Sequence, residues 1–466
     1  MNQIRGNNKS NLFGLILVLL SSVLLGIWAA KETIALRNIL LVCGSLISIY
    51  YISIEFRYEK LKQDISLRKA LPPILIMCCF FWVATHYFLF AIDHVTQLQE
   101  LKSTWLRAFL ASVVGIGAGL ALRYHPGRLN LLWLGILVTF LILHYQYIPR
   151  VVEQNKLLVT DHDLYLFRLK IDTVLMGIIL IAGHIGTLHD SINTIQHSWY
   201  GVRILWFINW LLSNVLVLWA FVYIVDSRNG IGLASILYCF WILITIHFFI
   251  QSKLQGKTIN NFLLSLLASI ALILILSFAY LQNSINKGWH NFFEDVKISM
   301  QIDRYSNWKN VQEMRYPKRS DGHEVTNNTY QRIAWATAGA MAIPQYPQGA
   351  GILAYPLSIH PNSLFEGHLG KLHMLVASHS GWVELGLSFG IPILALIFLT
   401  LVIIFYQAIE DQPLAQITIL VFVIAIFVLY AVSEISVKHG IEILFFLLSL
   451  IIGLSYTKQR QNFIKN

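Results

Sequence analysis

The chain has 466 residues; 56% of them are hydrophobic, only 12% are charged, and the formal net charge is +10. A soluble domain carries about a quarter charged residues, so this composition excludes an ordinary soluble enzyme and indicates a membrane protein. The basic residues lie in the segments between apolar runs rather than along one helix face. We therefore expect no nucleic-acid partner.

Apolar runs long enough to cross a bilayer as helices recur along the whole chain. Twelve predicted spans lie at residues 12–30, 38–54, 71–92, 108–122, 130–148, 172–188, 204–225, 231–251, 262–281, 386–407, 414–433 and 441–456. The sequence thus predicts an all-α polytopic membrane protein with about 12 transmembrane helices. An even number of spans puts both termini on the same side of the membrane.

The Lys and Arg residues between the spans predict the topology. With a cytoplasmic N-terminus, the cytoplasmic segments hold 15 of the 34 basic residues, the short external loops hold ten, and one long insert holds nine. Basic residues are enriched on the cytoplasmic side of membrane proteins, and long loops are exempt from that rule. The basic segment 57–69 is therefore predicted to be cytoplasmic, and the insert at 282–378 periplasmic.

This polar insert precedes the tenth span and divides the chain into three parts. They are a bundle of spans 1–9 (1–281), a periplasmic loop with the candidate site residues (282–385), and spans 10–12 with a cytoplasmic tail (386–466). The many aromatic residues of the insert argue against a disordered linker. Within it, residues 289–300 have the pattern of an amphipathic helix that lies along the membrane interface, and residues 330–341 predict a second helix.

Three residues on the predicted periplasmic side are candidates for chemistry. His379 lies where the insert returns to the membrane, and its imidazole can take a proton near neutral pH. Arg228 lies in the short loop 226–230 and Arg332 on the second predicted helix, and a guanidinium grips phosphate oxygens in a planar fork. An ordinary interfacial His, an Arg that snorkels to headgroups and a solvated Arg stay open as alternatives.

Four histidines fall late in the insert, at His360, His368, His373 and His379. A zinc site needs three or four ligands with supporting groups, and neither an HExxH motif nor a paired acidic ligand accompanies these residues. We therefore expect no metal and no other cofactor.

Two further patterns have structural interpretations. The Gly-Ala-Gly turn at 349–351 permits close approach of the backbone to a phosphate. Histidines also lie inside the predicted spans, at His86, His144, His184 and His247. We expect these to be satisfied core histidines or to form hydrogen bonds between helices.

From His379 to Pro392 the chain reads His-Ser-Gly-Trp-Val-Glu-Leu-Gly-Leu-Ser-Phe-Gly-Ile-Pro. This stretch resembles the signature of the O-antigen ligase/polymerase superfamily, a His followed by a Glu-Leu-Gly-hydrophobic-x-Gly helix start. The Asp-Ser-Arg-Asn-Gly loop at 226–230 is similar to the Ser-Arg-Gly element of that family, with Asn in place of the usual Gly after the Arg. The pattern formed by Arg332, Trp335, Pro347 and the 349–351 turn resembles the family's Arg…Trp…Pro…Gly-x-Gly order. The resemblance covers about 226–400, and spans 1–6 match only in hydropathy.

The resemblance implies a GT-C-like glycosyltransferase of the bacterial inner membrane, with its active site on the periplasmic side. Such an O-antigen ligase moves a glycan from undecaprenyl diphosphate to a hydroxyl of lipid A–core, without nucleotide sugar or metal. Arg228 and Arg332 would hold the diphosphate, His379 would activate the acceptor hydroxyl, and Glu384 would support the site through another residue. O-antigen polymerases and protein O-oligosaccharyltransferases use the same chemistry, and a polysaccharide transporter or flippase is the alternative from another class.

Overall fold

A computed structural model describes residues 2–57, 66–158, 165–167, 169–194, 200–254, 261–309, 314–359, 377–435 and 439–456. Within these ranges the chain forms helices and loops, and its only β-structure is two isolated bridges, Ala30 with Phe167 and Lys318 with Glu324. The all-α prediction is therefore confirmed for the described residues.

The α-helices are numbered in chain order. They are α1 (Asn2–Ile27), α2 (Ile34–Arg57), α3 (Leu67–Leu89), α4 (His94–Glu100), α5 (Leu106–Leu122), α6 (Leu129–Gln154), α7 (Lys170–Thr194), α8 (Tyr200–Trp219), α9 (Arg228–Leu254), α10 (Asn261–Ile285), α11 (Phe292–Ser299), α12 (Asn327–Ala342), α13 (Pro356–Ile359), α14 (Gly381–Asp411), α15 (Gln416–Val432) and α16 (His439–Ser455). A π-helical turn, Leu101–Trp105, joins α4 to α5, and a second, Ala220–Ile224, extends α8.

Nine helical segments of the described residues are long and apolar enough to cross a membrane. Three shorter apolar helices, Asn11–Ile27, Gln416–Val432 and His439–Ser455, lie at the predicted first, eleventh and twelfth spans. The chain is a polytopic helical membrane protein on this basis. The count of twelve spans stays a prediction.

Small residues let the membrane helices pack at short range. A Cβ atom added to Gly115 of α5 would lie 2.3 Å from the carbonyl oxygen of Phe446 in α16, and one added to Gly119 would lie 2.3 Å from that of Leu450. Close backbone approach at small residues is a main source of helix association in a bilayer, where lipid removes the hydrophobic driving force. Helices α5 and α16 therefore depend on these glycines for their contact.

Helix α14 is broken at Gly390, where φ is 74° and ψ is −167°. A break inside a membrane helix frees backbone N–H and C=O groups that must find other partners. They are supplied by residues 347–351, a segment from the insert that we call the re-entrant segment. Three backbone hydrogen bonds join helix α14 to the re-entrant segment. The Ile391 N–H donates to the Pro347 carbonyl (2.8 Å). In the other direction, the Ala350 N–H donates to the Leu387 carbonyl (2.8 Å) and the Gly351 N–H to the Ser388 carbonyl (2.6 Å).

Buried polar side chains of α3 and α4 hold the re-entrant segment from its other side. Nε2 of His86 lies 3.1 Å from the Gly349 carbonyl, and Nδ1 of the same ring lies 3.2 Å from the Gln97 amide. The Glu100 carboxylate accepts from the backbone N–H groups of Leu353 (2.8 Å) and Ala354 (3.1 Å), which follow the re-entrant segment in the chain. The interpretation of His86 as a histidine that hydrogen-bonds within the bundle is confirmed.

The glycines of the 349–351 turn approach protein rather than an open surface. Both have positive φ values, 84° and 82°. A Cβ atom on Gly349 would lie 2.5 Å from the Ser388 carbonyl oxygen, and one on Gly351 would lie 2.3 Å from Oε1 of Gln97. The expected approach of this turn to a phosphate is therefore wrong, because the space beside each glycine is filled by helix α14 or α4.

Residues 286–309 and 314–359 of the insert form a small domain with its own core, here called the insert domain. Trp308, Tyr330 and Trp335 are buried in this core. Asp295 of α11 forms an ion pair with Arg319 (3.1 Å). The prediction that the insert is not a disordered linker is confirmed for these residues, and the second predicted helix is present as α12.

The helix at the predicted tenth span begins before residue 386. Helix α14 starts at Gly381, five residues before the expected 386, and Ser380 is its N-cap residue. The helix can start there because its first two turns pack on the insert domain, as Gly339 of α12 lies against Val383. Helix α14 therefore includes residues on the loop side of the predicted 385/386 boundary, and His379 directly precedes the helix.

We expect the insert domain to face the periplasm and the 57–69 segment to face the cytoplasm, because of the distribution of basic residues. In a cysteine-free background, a membrane-impermeant thiol reagent should label Ser320→Cys in intact cells and should label Gln63→Cys only after lysis. Ser320 is exposed on the insert domain, and Gln63 lies outside the described residues. The reverse labelling pattern would overturn the topology.

Candidate functional site

Arg228 is placed by the turn that precedes α9. The π-helical end of α8 leads to Asp226, whose φ of 44° reverses the chain. The Ser227 hydroxyl then accepts from the N–H of Gly230 (3.1 Å), as an N-cap residue does. Arg228 is thus the first residue of a membrane helix, held at the end of the bundle that carries the insert domain.

The half-buried Arg228 guanidinium joins the bundle to the insert domain. Its Nη1 donates to the Gly288 carbonyl (2.7 Å) and its Nη2 to the Thr329 hydroxyl (3.1 Å). An arginine that only snorkels to headgroups would not make these two protein contacts. Since a guanidinium has five N–H donors, Arg228 keeps donors for an anion.

Arg332 lies one turn beyond Thr329 on helix α12, so the two share a helix face. Arg228 and Arg332 are close enough for their charges to repel. Burial lowers the pKa of the Arg332 guanidinium, and the Glu434 carboxylate opposes this effect. Arginine stays protonated in proteins, so two permanent positive charges lie within electrostatic range of each other here.

His379 sits in a tight turn just before α14. Its φ is 57°, in the left-handed region that non-glycine residues rarely adopt. The buried Ser378 hydroxyl holds the turn, because it accepts from the Ser380 N–H (3.3 Å) and donates to the Ser380 carbonyl (3.1 Å). The imidazole lies flat on the Trp335 ring, with centroids 5.7 Å apart and planes 19° apart.

Glu434, a residue that the sequence analysis missed, faces His379. Its Oε1 contacts Nδ1 of the imidazole. Burial alone would raise the pKa of Glu434, but the hydrogen bond and charge of His379 and the charge of Arg332 lower it below its usual value. Glu434 is therefore an ionised partner of His379 at neutral pH. One sequence signal was available, since Glu434 directly follows predicted span 11 on the same side as His379.

Glu384 contacts the segment that carries Glu434. Its buried carboxylate accepts from the backbone N–H of Ile435 (2.7 Å). Gly381, one turn earlier, leaves room for the same segment, since a Cβ atom there would lie 2.9 Å from the Ser433 carbonyl oxygen. The first turn of α14 thus fixes the backbone on both sides of Glu434.

Three predicted residues from distant parts of the sequence come together at this site. Arg228 contacts α12 through Thr329, Arg332 lies on α12, and His379 stacks on Trp335 of the same helix. The arrangement offers two fixed positive charges beside an imidazole whose Nδ1 is occupied by a carboxylate. Such a site can bind a polyanion and can take a proton at Nε2.

Of the four histidines considered for metal binding, only His379 lies in the described residues. His360, His368 and His373 lie outside the described residues. In the part of the chain that the structure covers, no group of three or more His, Cys, Asp or Glu side chains could hold a metal ion.

No protein-family model matches this chain, and no curated protein matches it either. The likeness to the O-antigen ligase/polymerase superfamily therefore rests on the motifs alone. The case for a function depends on the residues of the site and on their geometry.

We expect Arg228→Lys to lose activity nearly as completely as Arg228→Ala. Lysine keeps the charge but loses the planar fork that can grip two phosphate oxygens. The measurement is complementation of a deletion strain by each variant at matched protein level.

A control separates anion binding from the bridge to the insert domain. Thr329→Val removes the hydroxyl partner of Nη2 while leaving the guanidinium in place. It should retain most activity. If Thr329→Val is as inactive as Arg228→Lys, or if Arg228→Lys is fully active, Arg228 does not act by gripping phosphate.

Proposed function

We propose that this chain transfers a glycan from undecaprenyl diphosphate to a hydroxyl of lipid A–core, as an O-antigen ligase does. One observation carries the proposal. Arg228, Arg332 and the His379–Glu434 pair lie together at one end of a membrane bundle. The motif resemblance adds the substrate class. The proposed setting is a bacterial inner membrane with the insert domain in the periplasm, where lipid-linked donor and acceptor meet.

The two arginines suit the donor diphosphate. In the proposed reaction the bond between the anomeric carbon and the diphosphate oxygen breaks, and negative charge grows on that oxygen. Fixed positive groups aimed at developing charge lower the barrier most where water is excluded. Arg228 and Arg332 are half-buried, and Arg228 is held by two protein hydrogen bonds, so its guanidinium requires little reorganisation during the step. The proposal assigns no role to a metal ion.

The His379–Glu434 pair suits the acceptor. A carboxylate on Nδ1 fixes the tautomer that carries its proton on Nδ1, so that Nε2 has a free lone pair. As the acceptor hydroxyl oxygen bonds to the anomeric carbon, its proton moves to Nε2. The Glu434 charge stabilises the imidazolium that forms. Trp335 holds the ring plane, and Glu384 holds the backbone beside Glu434.

The lipopolysaccharide of a deletion strain tests the proposed function directly. We expect core that carries no O-antigen, together with an accumulation of lipid-linked polymer. Core that bears a single repeat would indicate a polymerase. Unaltered lipopolysaccharide with an unglycosylated protein would indicate a protein O-oligosaccharyltransferase, and failure of lipid-linked glycan to reach the periplasm would indicate a flippase.

We expect His379→Ala to reduce transfer by about 10²–10⁴-fold, the usual contribution of a general base. The variant should fold and bind lipid-linked donor, since alanine has the same Cβ as histidine and meets the same left-handed backbone cost. The measurement is transfer by purified protein, with binding and thermal stability in parallel. Glu434→Gln should lower activity less, because an amide oxygen can still accept from Nδ1.

The other late histidines are the matched controls. His360→Ala, His368→Ala and His373→Ala should each keep substantial activity. Near-normal transfer by His379→Ala at wild-type abundance would refute the base assignment. Equal losses in all four variants would point to metal binding or to folding of the insert.

A further inference from the structure

Helix α11 of the insert domain has one face that nothing in the described part of the chain covers. Phe293, Lys297 and Met300 follow one another at i, i+4 and i+7, which places them on this face. Phe293 is 85% exposed and Met300 is 59% exposed. The opposite face, with Asp295 and Ile298, is buried against the rest of the insert domain. Large apolar side chains at this level of exposure mark a surface that meets something other than water.

The start of α11 lies at the level of the membrane-helix ends. Arg228 is the first residue of α9, and its Nη1 donates to the carbonyl of Gly288. The chain is therefore pinned beside the end of a spanning helix only four residues before α11 begins. Trp289 follows at once and packs on Phe292, with ring centroids 5.7 Å apart. Helix α11 cannot rise far from the bilayer surface within so few residues.

Helix α10, which precedes α11 in the chain, has an exposed aromatic residue near its end. Tyr280, near the end of α10 that enters the insert domain, is 74% exposed. An exposed aromatic residue on a membrane helix faces lipid, and Trp and Tyr are enriched where the hydrocarbon core meets the headgroups. Tyr280, Trp289 and Phe293 therefore follow one another along the chain across this boundary.

We propose that α11 is an interfacial helix whose Phe293 and Met300 enter the adjacent phospholipid leaflet. Lys297, between them, extends its ammonium group to the phosphate level, as lysines flanking apolar surface do. The occupant of this face is lipid rather than protein, because α11 begins only a few residues after a spanning helix ends and the face carries a basic residue between apolar ones. The helix then anchors the insert domain, and Arg332 with it, beside the membrane.

The test uses the full-length protein, with its four cysteines replaced, as single copies in phosphatidylcholine/phosphatidylglycerol nanodiscs. An environment-sensitive fluorophore is attached to Phe293→Cys, to Met300→Cys or to the control His323→Cys. His323 is exposed in a turn that packs on the opposite side of α11, through the Arg319–Asp295 ion pair. Quenching by a lipid with a doxyl group high on its acyl chain is compared with quenching by aqueous iodide.

We expect blue-shifted emission and strong doxyl quenching at 293 and 300, and iodide quenching alone at 323. Iodide access at 293 and 300 equal to that at 323 would overturn the proposal. Protection of 293 and 300 from both quenchers would also overturn it, since another part of the protein would then cover this face. Measuring two sites keeps the test decisive if one variant fails to fold. Because no activity is measured, the result is independent of the proposed glycan transfer.

Discussion

The broken helix at Gly390 is the constraint on which the rest of this structure depends. Inside a bilayer no water is available to a backbone group that loses its helical partner. The re-entrant segment supplies partners at Leu387, Ser388 and Ile391. A chain segment of the insert is thereby built into the membrane bundle. The break and the segment need each other, because each leaves backbone groups unpaired without the other.

The candidate site follows from this attachment. Helix α12, which carries Arg332, reaches the re-entrant segment within a few residues of its end. The first turns of α14, which follow His379, pack on the same helix through Gly339 and Val383. The arginine and the histidine thus belong to one rigid corner of the protein. Arg228, on the bundle side, connects to this corner by donating hydrogen bonds to Gly288 and Thr329.

The sequence predicts the parts of this protein that depend on local composition. Apolar runs give the spanning helices because a bilayer requires about 20 such residues. His379, Arg228 and Arg332 are recognisable because polar residues beside spans are few, and the structure brings them together. Their chemical roles remain proposals.

Contacts between distant segments could not be predicted in this way. The pairing of Glu434 with His379 joins residues 55 positions apart, and the pairing of His86 with Gly349 joins residues 263 positions apart. The position of Glu434 after a predicted span marks it as a candidate, but no local pattern predicts either pairing. The prediction that the 349–351 glycines approach a phosphate was wrong for the same reason. Glycines show that something lies close to the backbone, but the sequence does not show that it is a neighbouring helix. The early start of α14 likewise depends on packing against α12.

The position of Glu434 after α15 has a consequence for biosynthesis. Both arginines and His379 have been made by the time α14 is complete, but Ser433, Glu434 and Ile435 are synthesised only after α15. A nascent chain therefore holds its cationic groups and its imidazole before it holds the carboxylate that orients them. The Ile435 N–H that the Glu384 carboxylate binds is synthesised at the same late stage. A chain that stops before residue 434 would therefore lack both the carboxylate that contacts His379 and the backbone N–H that Glu384 binds.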